Sequence, residues 1–303
     1  MKQLVLLAAA GLAAQLIDGS LGMGYGVTST SVLLAGGLTP ATASASVHMA
    51  ELGTTVASGV SHWRLRNVDW WLVLRLGVPG AVGAFLGATV LSSLSTEAAR
   101  PVMALLLVGL GLFILFRSFR RRGAAVSESR VSPHGRRFLV PLGLLGGFVD
   151  ATGGGGWGPV STTALVSAGR TSPRTVIGSV DTSEFLVSLA ASAGFIVGLG
   201  GSGVRLTHVL VLLAGGLVAA PIAAWLVSRI PPKIMGALVG GAIVMTNLGQ
   251  LFSSLGLPQG ALVPAAVVLL MVWAIAVLVV ATDRSAVERS AAPGVPQVVA
   301  EPV

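Results

Sequence analysis

The chain has 303 residues, of which 53% are hydrophobic and only 10% are charged. Soluble domains carry about 25% charged residues, so the composition excludes a soluble protein and predicts membrane-spanning helices. The net charge of +8 does not indicate a nucleic-acid partner, because the basic residues lie in short loops and the aromatic content of 5% is too low for base stacking. The chain contains no cysteine, which excludes disulfides and thiolate metal sites, and no metal or cofactor is predicted.

Residues 4–116 form a first unit of four apolar segments. Its first segment is interrupted by a glycine-rich run, Gly19–Gly26, its second carries an acidic residue, and the other two are uninterrupted spans. In chain order the segments are Leu4–Leu38, Pro40–Ser61, Trp70–Leu91 and Val102–Phe116. A basic linker follows at residues 117–137.

Residues 138–255 form a second unit with the same order of segments. Its first segment again contains a glycine-rich run, Thr152–Gly158, and its second carries acidic residues. The segments are Phe138–Ala168, Pro173–Val197, His208–Val227 and Met235–Leu255. An extra span is predicted at residues 261–281, before a cytoplasmic tail at residues 282–303.

The two units are copies of one another. The sequence IDGSLGMGYGVTST at Ile17–Thr30 matches VDATGGGGWGPVST at Val149–Thr162, which pairs an aspartate in one with an aspartate in the other. After a shift of one residue, SVHMAEL at 46–52 matches SVDTSEF at 179–185. Each copy is therefore expected to fold as the same structural repeat.

The arginines predict the orientation, because basic loops stay on the cytoplasmic side. Residues 117–137 carry seven arginines and are expected inside. Counting spans from this linker places the N-terminus outside and the C-terminus inside. Phe138–Ala168 then begins and ends inside, so it is predicted to be a re-entrant hairpin of two half-helices, each about 11–12 residues long. The alternative is that each broken segment crosses the membrane with a kink.

The predicted fold is an all-α polytopic membrane protein of a bacterial inner membrane, with two inverted repeats. Each repeat consists of a re-entrant helical hairpin plus three transmembrane helices, and one extra C-terminal transmembrane helix closes the chain. Because three crossings is an odd number, the second repeat is inverted relative to the first. Seven spanning helices and two hairpins are expected.

The glycine-rich runs are candidate anion sites. Glycine permits positive φ angles, which are expected at Gly24 and Gly156. The helix after each run presents unsatisfied N–H groups, hydroxyls and about half a positive charge, which together favour an anion. The predicted ligands are Gly22, Gly24, Tyr25, Gly26, Thr28, Ser29, Gly154, Gly156, Trp157, Gly158, Ser161 and Thr162. The alternative is that these glycines only allow tight helix packing.

Six ionisable residues lie in apolar segments, where such groups are costly and mark functional sites. They are Asp18, His48, Glu51, Asp150, Asp181 and Glu184. Two roles are open: uptake of a proton coupled to anion movement, or bracing of the glycine-rich runs through their N–H groups. Bracing is favoured for the aspartates next to the runs, whereas the two glutamates fit either role.

The paired glycine-rich runs, each followed by a helix with the pattern S-V-x-x-x-E, resemble the sulfite exporter TauE/SafE family over nearly the whole chain. The resemblance implies a membrane transporter of sulfite, sulfoacetate or a related organosulfur anion. The first run, GSLGMGYG, contains fewer glycines than the second, GGGGWG, so the two half-sites are expected to bind the anion unequally.

Two other functions remain open on the sequence. Paired re-entrant hairpins also build anion channels. Ser20 and His48 suggest an intramembrane serine hydrolase, but their repeat counterparts Thr152 and Asp181 form no such dyad and no G-x-S-x-G motif is present. The small residues of Gly80–Gly87 suggest a homodimer.

Overall fold

The computed structural model describes residues 2–21, 23–119, 129–200, 204, 206–227 and 232–282. These residues are mostly helical and include no β-strand. The helices are α1 (Lys2–Leu21), α2 (Tyr25–Ala35), α3 (Pro40–Arg64), α4 (Trp70–Ser93), α5 (Thr96–Phe119), α6 (Arg136–Gly153), α7 (Thr163–Ala168), α8 (Pro173–Leu199), α9 (Leu206–Val227), α10 (Pro232–Ser254) and α11 (Leu262–Thr282). A π-helical turn, Gly158–Thr162, leads into α7. The predicted tail at residues 283–303 lies outside the described residues.

The broken segments have two arms each, but the first arms are longer than predicted. α1 has 20 residues and α6 has 18, whereas α2 has 11. At 1.5 Å per residue, α1 and α6 are about 30 and 27 Å long. In α6 the helical φ angles persist to the glycine tip, where Gly154 turns left-handed with φ 68°. The prediction of half-helices of about 11–12 residues is therefore wrong for the first arms.

Five helices within the described residues are long and apolar enough to cross a membrane, where seven were predicted. They are Trp70–Ser93, Thr96–Arg117, Arg174–Leu199, Ala237–Ser254 and Gln259–Thr282. α3 has 25 residues, but its many hydroxyl and ionisable side chains make it too polar for this class. α9 contributes the apolar but shorter stretch Leu206–Ala219. The chain is therefore an all-helical, polytopic membrane protein.

Glycines bring α4 against α6, and α1 against α9, into backbone contact. A Cβ atom at Gly83 would lie 2.1 Å from the carbonyl oxygen of Leu144, and one at Gly11 would lie 2.2 Å from that of Leu212. Only glycine allows helices to approach this closely. Gly80, Gly83 and Gly87 thus pack against other helices of the chain, whereas Val82, Phe85 and Leu86 are exposed. The homodimer stays a prediction.

Three loops meet at one end of the helices. The N–H of Ser132, in the basic linker, donates to Asp69 Oδ2 at 2.8 Å. The N–H of Ser172, between α7 and α8, donates to the carbonyl oxygen of Ser129 at 2.9 Å. Asp69 also caps α4, because its Oδ1 accepts from the N–H of Trp71 at 3.0 Å. These bonds hold the linker against the loops that precede α4 and α8.

Candidate functional site

The two glycine-rich tips contact each other in the interior of the protein. A Cβ atom at Gly26 would lie 2.5 Å from the Cα of Gly155, and Thr30 Oγ1 donates a hydrogen bond to the carbonyl oxygen of Gly154. Gly24, Gly154 and Gly155 have φ angles of 118°, 68° and 139°. Glycine is required here for both the left-handed turns and the contact between the two backbones.

The expectation of a positive φ angle holds for Gly24 but is wrong for Gly156. In the second tip the left-handed residues are Gly154 and Gly155. A Cβ atom at Gly156 would lie 3.1 Å from Val149 Cγ1 and 3.3 Å from the backbone nitrogen of Asp150, which is tight but less severe than at Gly154 or Gly155. The error arose because a run of four glycines does not show which of them takes the turn.

An aspartate of the first arm accepts hydrogen bonds from N–H groups at each tip. Asp150 Oδ1 accepts from Gly156 at 2.7 Å and from Trp157 at 2.9 Å. At the same repeat position, Asp18 Oδ1 accepts from Tyr25 at 3.4 Å. The aspartates therefore already accept hydrogen bonds from some of the N–H groups that were predicted to bind the anion. The nearby hydroxyls are then the main donors that remain for an anion.

Several hydroxyls at the start of the second arms are buried beside the tips. Within the described part of the chain, Thr28 Oγ1, Ser161 Oγ and Thr162 Oγ1 have no hydrogen-bond partner. Ser29 is buried as well. Because buried hydroxyls normally have partners, these groups are available to donate to a ligand. The remaining predicted ligand, Gly22, lies outside the described residues.

His48 joins the second tip to α3. Its Nε2 lies 3.0 Å from Asp150 Oδ2, and its Nδ1 lies 2.8 Å from the carbonyl oxygen of Ser44. The hydroxyl of Ser44 donates to the carbonyl oxygen of Ala151 at 2.7 Å. Both ring nitrogens face acceptors, so the His48–Asp150 pair holds two protons, as an imidazolium and a carboxylate do. Neither nitrogen is left to activate a serine, which removes the support for a dyad with Ser20.

A narrow cavity lined by carboxyl groups lies beside the first tip. It has room for roughly one water molecule. Its walls are Gln15, Asp18, Tyr25, Glu51, Thr54, Thr55, Ser58, Asp181 and Glu184. None of these lining side chains is basic. Glu51 Oε2 accepts from Ser188 Oγ at 3.1 Å, whereas Glu51 Oε1 has no partner among the described residues.

The structure thus divides the six predicted ionisable residues into two groups. Four carboxyl groups line one cavity, and His48 pairs with Asp150 at the other tip. The sequence had placed His48 with Glu51, and Asp181 with Glu184, because each pair shares a helix face. Those faces converge because α3 packs against α8.

Sequence reasoning missed two polar residues that contact the second arms. Arg117 Nη1 donates to Thr163 Oγ1, and Asn247 Nδ2 donates to Ser31 Oγ at 2.8 Å. Ser31 and Thr163 hold the same position in the two copies, counted from the matched aspartates. The repeat alignment could have indicated these contacts, because it places a hydroxyl at this position in both copies. A hydroxyl in an apolar helix needs a polar hydrogen-bond partner.

Comparison with known proteins adds evidence that is independent of the geometry. The family model described as "Sulfite exporter TauE/SafE" matches residues 7–248. The chain is 53% identical over 253 residues to the "Probable membrane transporter protein YtnM" of Bacillus subtilis (strain 168), a match that covers 84% of each protein. No solved structure matches the chain. Because the family model covers most of the sequence, including both glycine-rich runs, the chain belongs to the sulfite exporter TauE/SafE family.

Proposed function

We propose that the chain is a secondary transporter that carries a small organosulfur anion, such as sulfite or sulfoacetate, across a bacterial inner membrane. Membership of the sulfite exporter family supports a transporter rather than an enzyme, and the Bacillus relative is named as a membrane transporter. The observation that carries the proposal is that two glycine-rich tips meet beside buried hydroxyls that have no hydrogen-bond partner among the described residues. The expected partners are the anion and the lipid bilayer, with no nucleic acid.

The anion is held mainly by hydroxyl groups of the two second arms. Each helix start contributes on the order of 0.3–1 kcal/mol to anion binding. A hydrogen bond to a charged group contributes about 1.5–3 kcal/mol. Thr28 with Ser29, and Ser161 with Thr162, therefore supply most of the binding energy, while the neighbouring glycines let the anion approach the backbone.

The tips belong to two inverted repeats at residues 4–116 and 138–255. Equivalent contacts in the two copies support this proposal. The aromatic ring within each glycine-rich run lies against a glycine of the other unit: Trp157 against Gly80, and Tyr25 against Gly216. Gly80 and Gly216 hold the same position in the matching stretches of α4 and α9.

Each broken segment is a re-entrant hairpin in this proposal, so the second one leaves the cytoplasmic side and returns to it. The hydrogen bond from the N–H of Ser172 to the carbonyl oxygen of Ser129 supports this, because these residues flank the segment on either side. The linker at residues 117–137 and the C-terminus are then cytoplasmic, and the N-terminus is outside.

Movement of the anion is coupled to a proton. Four carboxyl groups line the cavity beside the first tip, and no basic side chain lines it. Two unit charges about 6 Å apart repel by about 3 kcal/mol at an effective dielectric constant of 20. At least one of Glu51 and Glu184 is therefore protonated when an anion is bound, and the two species move together.

Flux into liposomes that contain the purified protein tests the substrate and the mechanism. A panel of sulfite, sulfonates, sulfate and carboxylates should show saturable uptake of organosulfur anions that responds to a pH gradient. Uptake that does not saturate would favour the anion-channel alternative instead. An absence of flux for every organosulfur anion would contradict the proposed substrate class.

The variant Glu184→Gln tests the coupling. It should still bind the anion, measured by calorimetry, but its flux should lose its dependence on pH because the group that takes up the proton is gone. Glu97→Gln is a matched control, since Glu97 is exposed at the start of α5, outside the cavity. If anion binding collapses in Glu184→Gln, the carboxylate supports the structure of the site and the proton coupling should be abandoned.

A further inference from the structure

We infer that the carboxyl-lined cavity binds a small monovalent cation, Na⁺, and that Na⁺ and protons are alternative occupants of the same site. A role for this Na⁺ in transport rests on the proposed function, because the ion would replace the proton in the coupling. Binding of Na⁺ itself requires no anion, so it can be tested separately.

Oxygen atoms that only accept hydrogen bonds converge on this cavity. Within the described residues, Gln15 Oε1, Glu51 Oε1 and Asp181 Oδ2 are buried and have no hydrogen-bond partner. All three side chains line the cavity and are at least nine-tenths buried. Ionised carboxylates and an amide oxygen cannot satisfy one another. A protonated carboxyl group can donate to one neighbouring acceptor, whereas a cation can be coordinated by several oxygens at once.

The size of the cavity and the type of ligand select the ion. Hard cations prefer carboxylate, amide and hydroxyl oxygens, which are the groups that the walls provide. Mg²⁺ keeps several of its waters when bound, and a cavity with room for about one water excludes them. In the part of the chain that the structure describes, no three acidic or histidine groups are arranged to hold one metal ion. A singly charged ion with mixed oxygen ligands fits this arrangement better than a divalent one.

The titratable groups that line the cavity are all acidic. The titratable groups that face it are Asp18 of α1, Tyr25 of α2, Glu51 of α3, and Asp181 and Glu184 of α8. α9 reaches this region through Gly216, which has no charge and lies beside Tyr25 and Thr54. Behind Glu51, His48 is engaged by Asp150. Because Na⁺ and protons compete for the same carboxylates, Na⁺ should bind more weakly as the pH falls.

Thermal unfolding of the full chain in detergent tests this binding without any organosulfur anion. NaCl, KCl, CaCl₂ and choline chloride would be compared at equal ionic strength, at about pH 8 and about pH 5.5, on either side of neutrality. Only Na⁺ should raise the melting temperature, with a saturable dependence on concentration, and the shift should shrink at the lower pH.

Two variants separate the ligands from the charge. Gln15→Leu removes an oxygen ligand and keeps every carboxyl group, and Asp181→Asn removes one charge; both should reduce the Na⁺ shift at least several-fold. Glu97→Gln removes an acidic side chain that is exposed and does not line the cavity, and should keep the full shift.

Three results would overturn the inference. One is a wild-type melting temperature that responds equally to Na⁺, K⁺ and choline at both pH values. Another is a full Na⁺ shift in both Gln15→Leu and Asp181→Asn, since the ion would then bind elsewhere. The third is a larger shift with Ca²⁺ than with Na⁺. If Na⁺ fails in any of these ways while flux keeps its dependence on pH and on Glu184, the proposed proton-coupled transport still stands.

Discussion

At the scale of single residues, the two tips differ in how their aspartates are held. Asp150 accepts from two N–H groups of its own tip and also pairs with His48, whose ring packs against Phe195 with 5.9 Å between ring centroids. Asp18 accepts from the N–H of Tyr25 at the longer distance of 3.4 Å. The second tip is therefore tied to α3 through an ion pair, and the repeat counterpart of His48, Asp181, lines the cavity instead.

Replacement of His48 by glutamine should strongly destabilise the protein. Asp150 would keep its buried charge and lose its cationic partner, and breaking a buried ion pair from one side costs about 3–5 kcal/mol. Thermal and denaturant unfolding in detergent would measure the loss. The double variant His48→Gln/Asp150→Asn should recover part of it, because no unpaired charge remains. A His48→Gln variant as stable as the wild type would contradict the charged pair.

Replacement of Gly155 by alanine should abolish transport. The new Cβ atom would lie 2.1 Å from the backbone nitrogen of Val27, and the φ angle of 139° is one that residues with side chains rarely adopt. The two tips would have to separate. Gly153→Ala is the matched control, because its Cβ atom would meet only the side chain of Leu106, at 3.5 Å, and its φ angle is not positive. Normal flux in a well-expressed Gly155→Ala variant would show that the contact between the tips is dispensable.

The sequence predicted which residues surround the tips, but it could not predict their partners. Helical spacing placed His48 and Glu51 on one face of α3. The bond from His48 to Asp150 joins residues 102 positions apart, and it depends on how α3 packs against α6. Gln15 was missed for a different reason, because a single amide in an apolar helix gives no periodic signal.

At the scale of elements, Asp69 has two separate roles. Its Oδ1 caps α4 through the N–H groups of Trp71 and Leu72, and its Oδ2 accepts from the N–H of Ser132 in the linker. Its own N–H donates to Ser179 Oγ at 2.8 Å, which ties the loop to α8. A helix cap such as Asp69 can be recognised in a sequence. The docking of the linker on the same side chain cannot, because it depends on the tertiary fold.

Two variants of Asp69 should separate these roles. Asp69→Asn keeps a capping oxygen for α4 but can present an amide donor to the N–H of Ser132, so the linker should detach at a cost of about 1.5–3 kcal/mol. Asp69→Ala should cost about 1 kcal/mol more, because the cap is lost too. Limited proteolysis of the linker and thermal unfolding would measure the two effects. Equal stability of the two variants would mean that the cap contributes nothing.

At the scale of the whole molecule, the two proposed repeats exchange their first arms. α1 of the first unit packs against α9 of the second, and α6 of the second packs against α4 of the first. α3 and α8, which match in sequence, pack against each other, as do α5 and α10. The repeat stays a prediction from matched motifs. The exchange could not be predicted, because an alignment of two copies carries no information about which helix each one contacts.

The side of the membrane on which the second broken segment ends can be measured directly. The chain contains no cysteine, so single cysteines can be introduced without a background. Arg137 and Ala168 lie near the two ends of the segment and are both exposed. The Ser172–Ser129 bond holds these ends on one side of the helices, so Arg137→Cys and Ala168→Cys should react with an impermeant maleimide only from the cytoplasmic side.

Gln259→Cys, in the exposed loop before α11, should react only from the opposite side. If Ala168→Cys instead reacts only from outside, the segment crosses the membrane with a kink, and the inverted hairpin architecture is wrong.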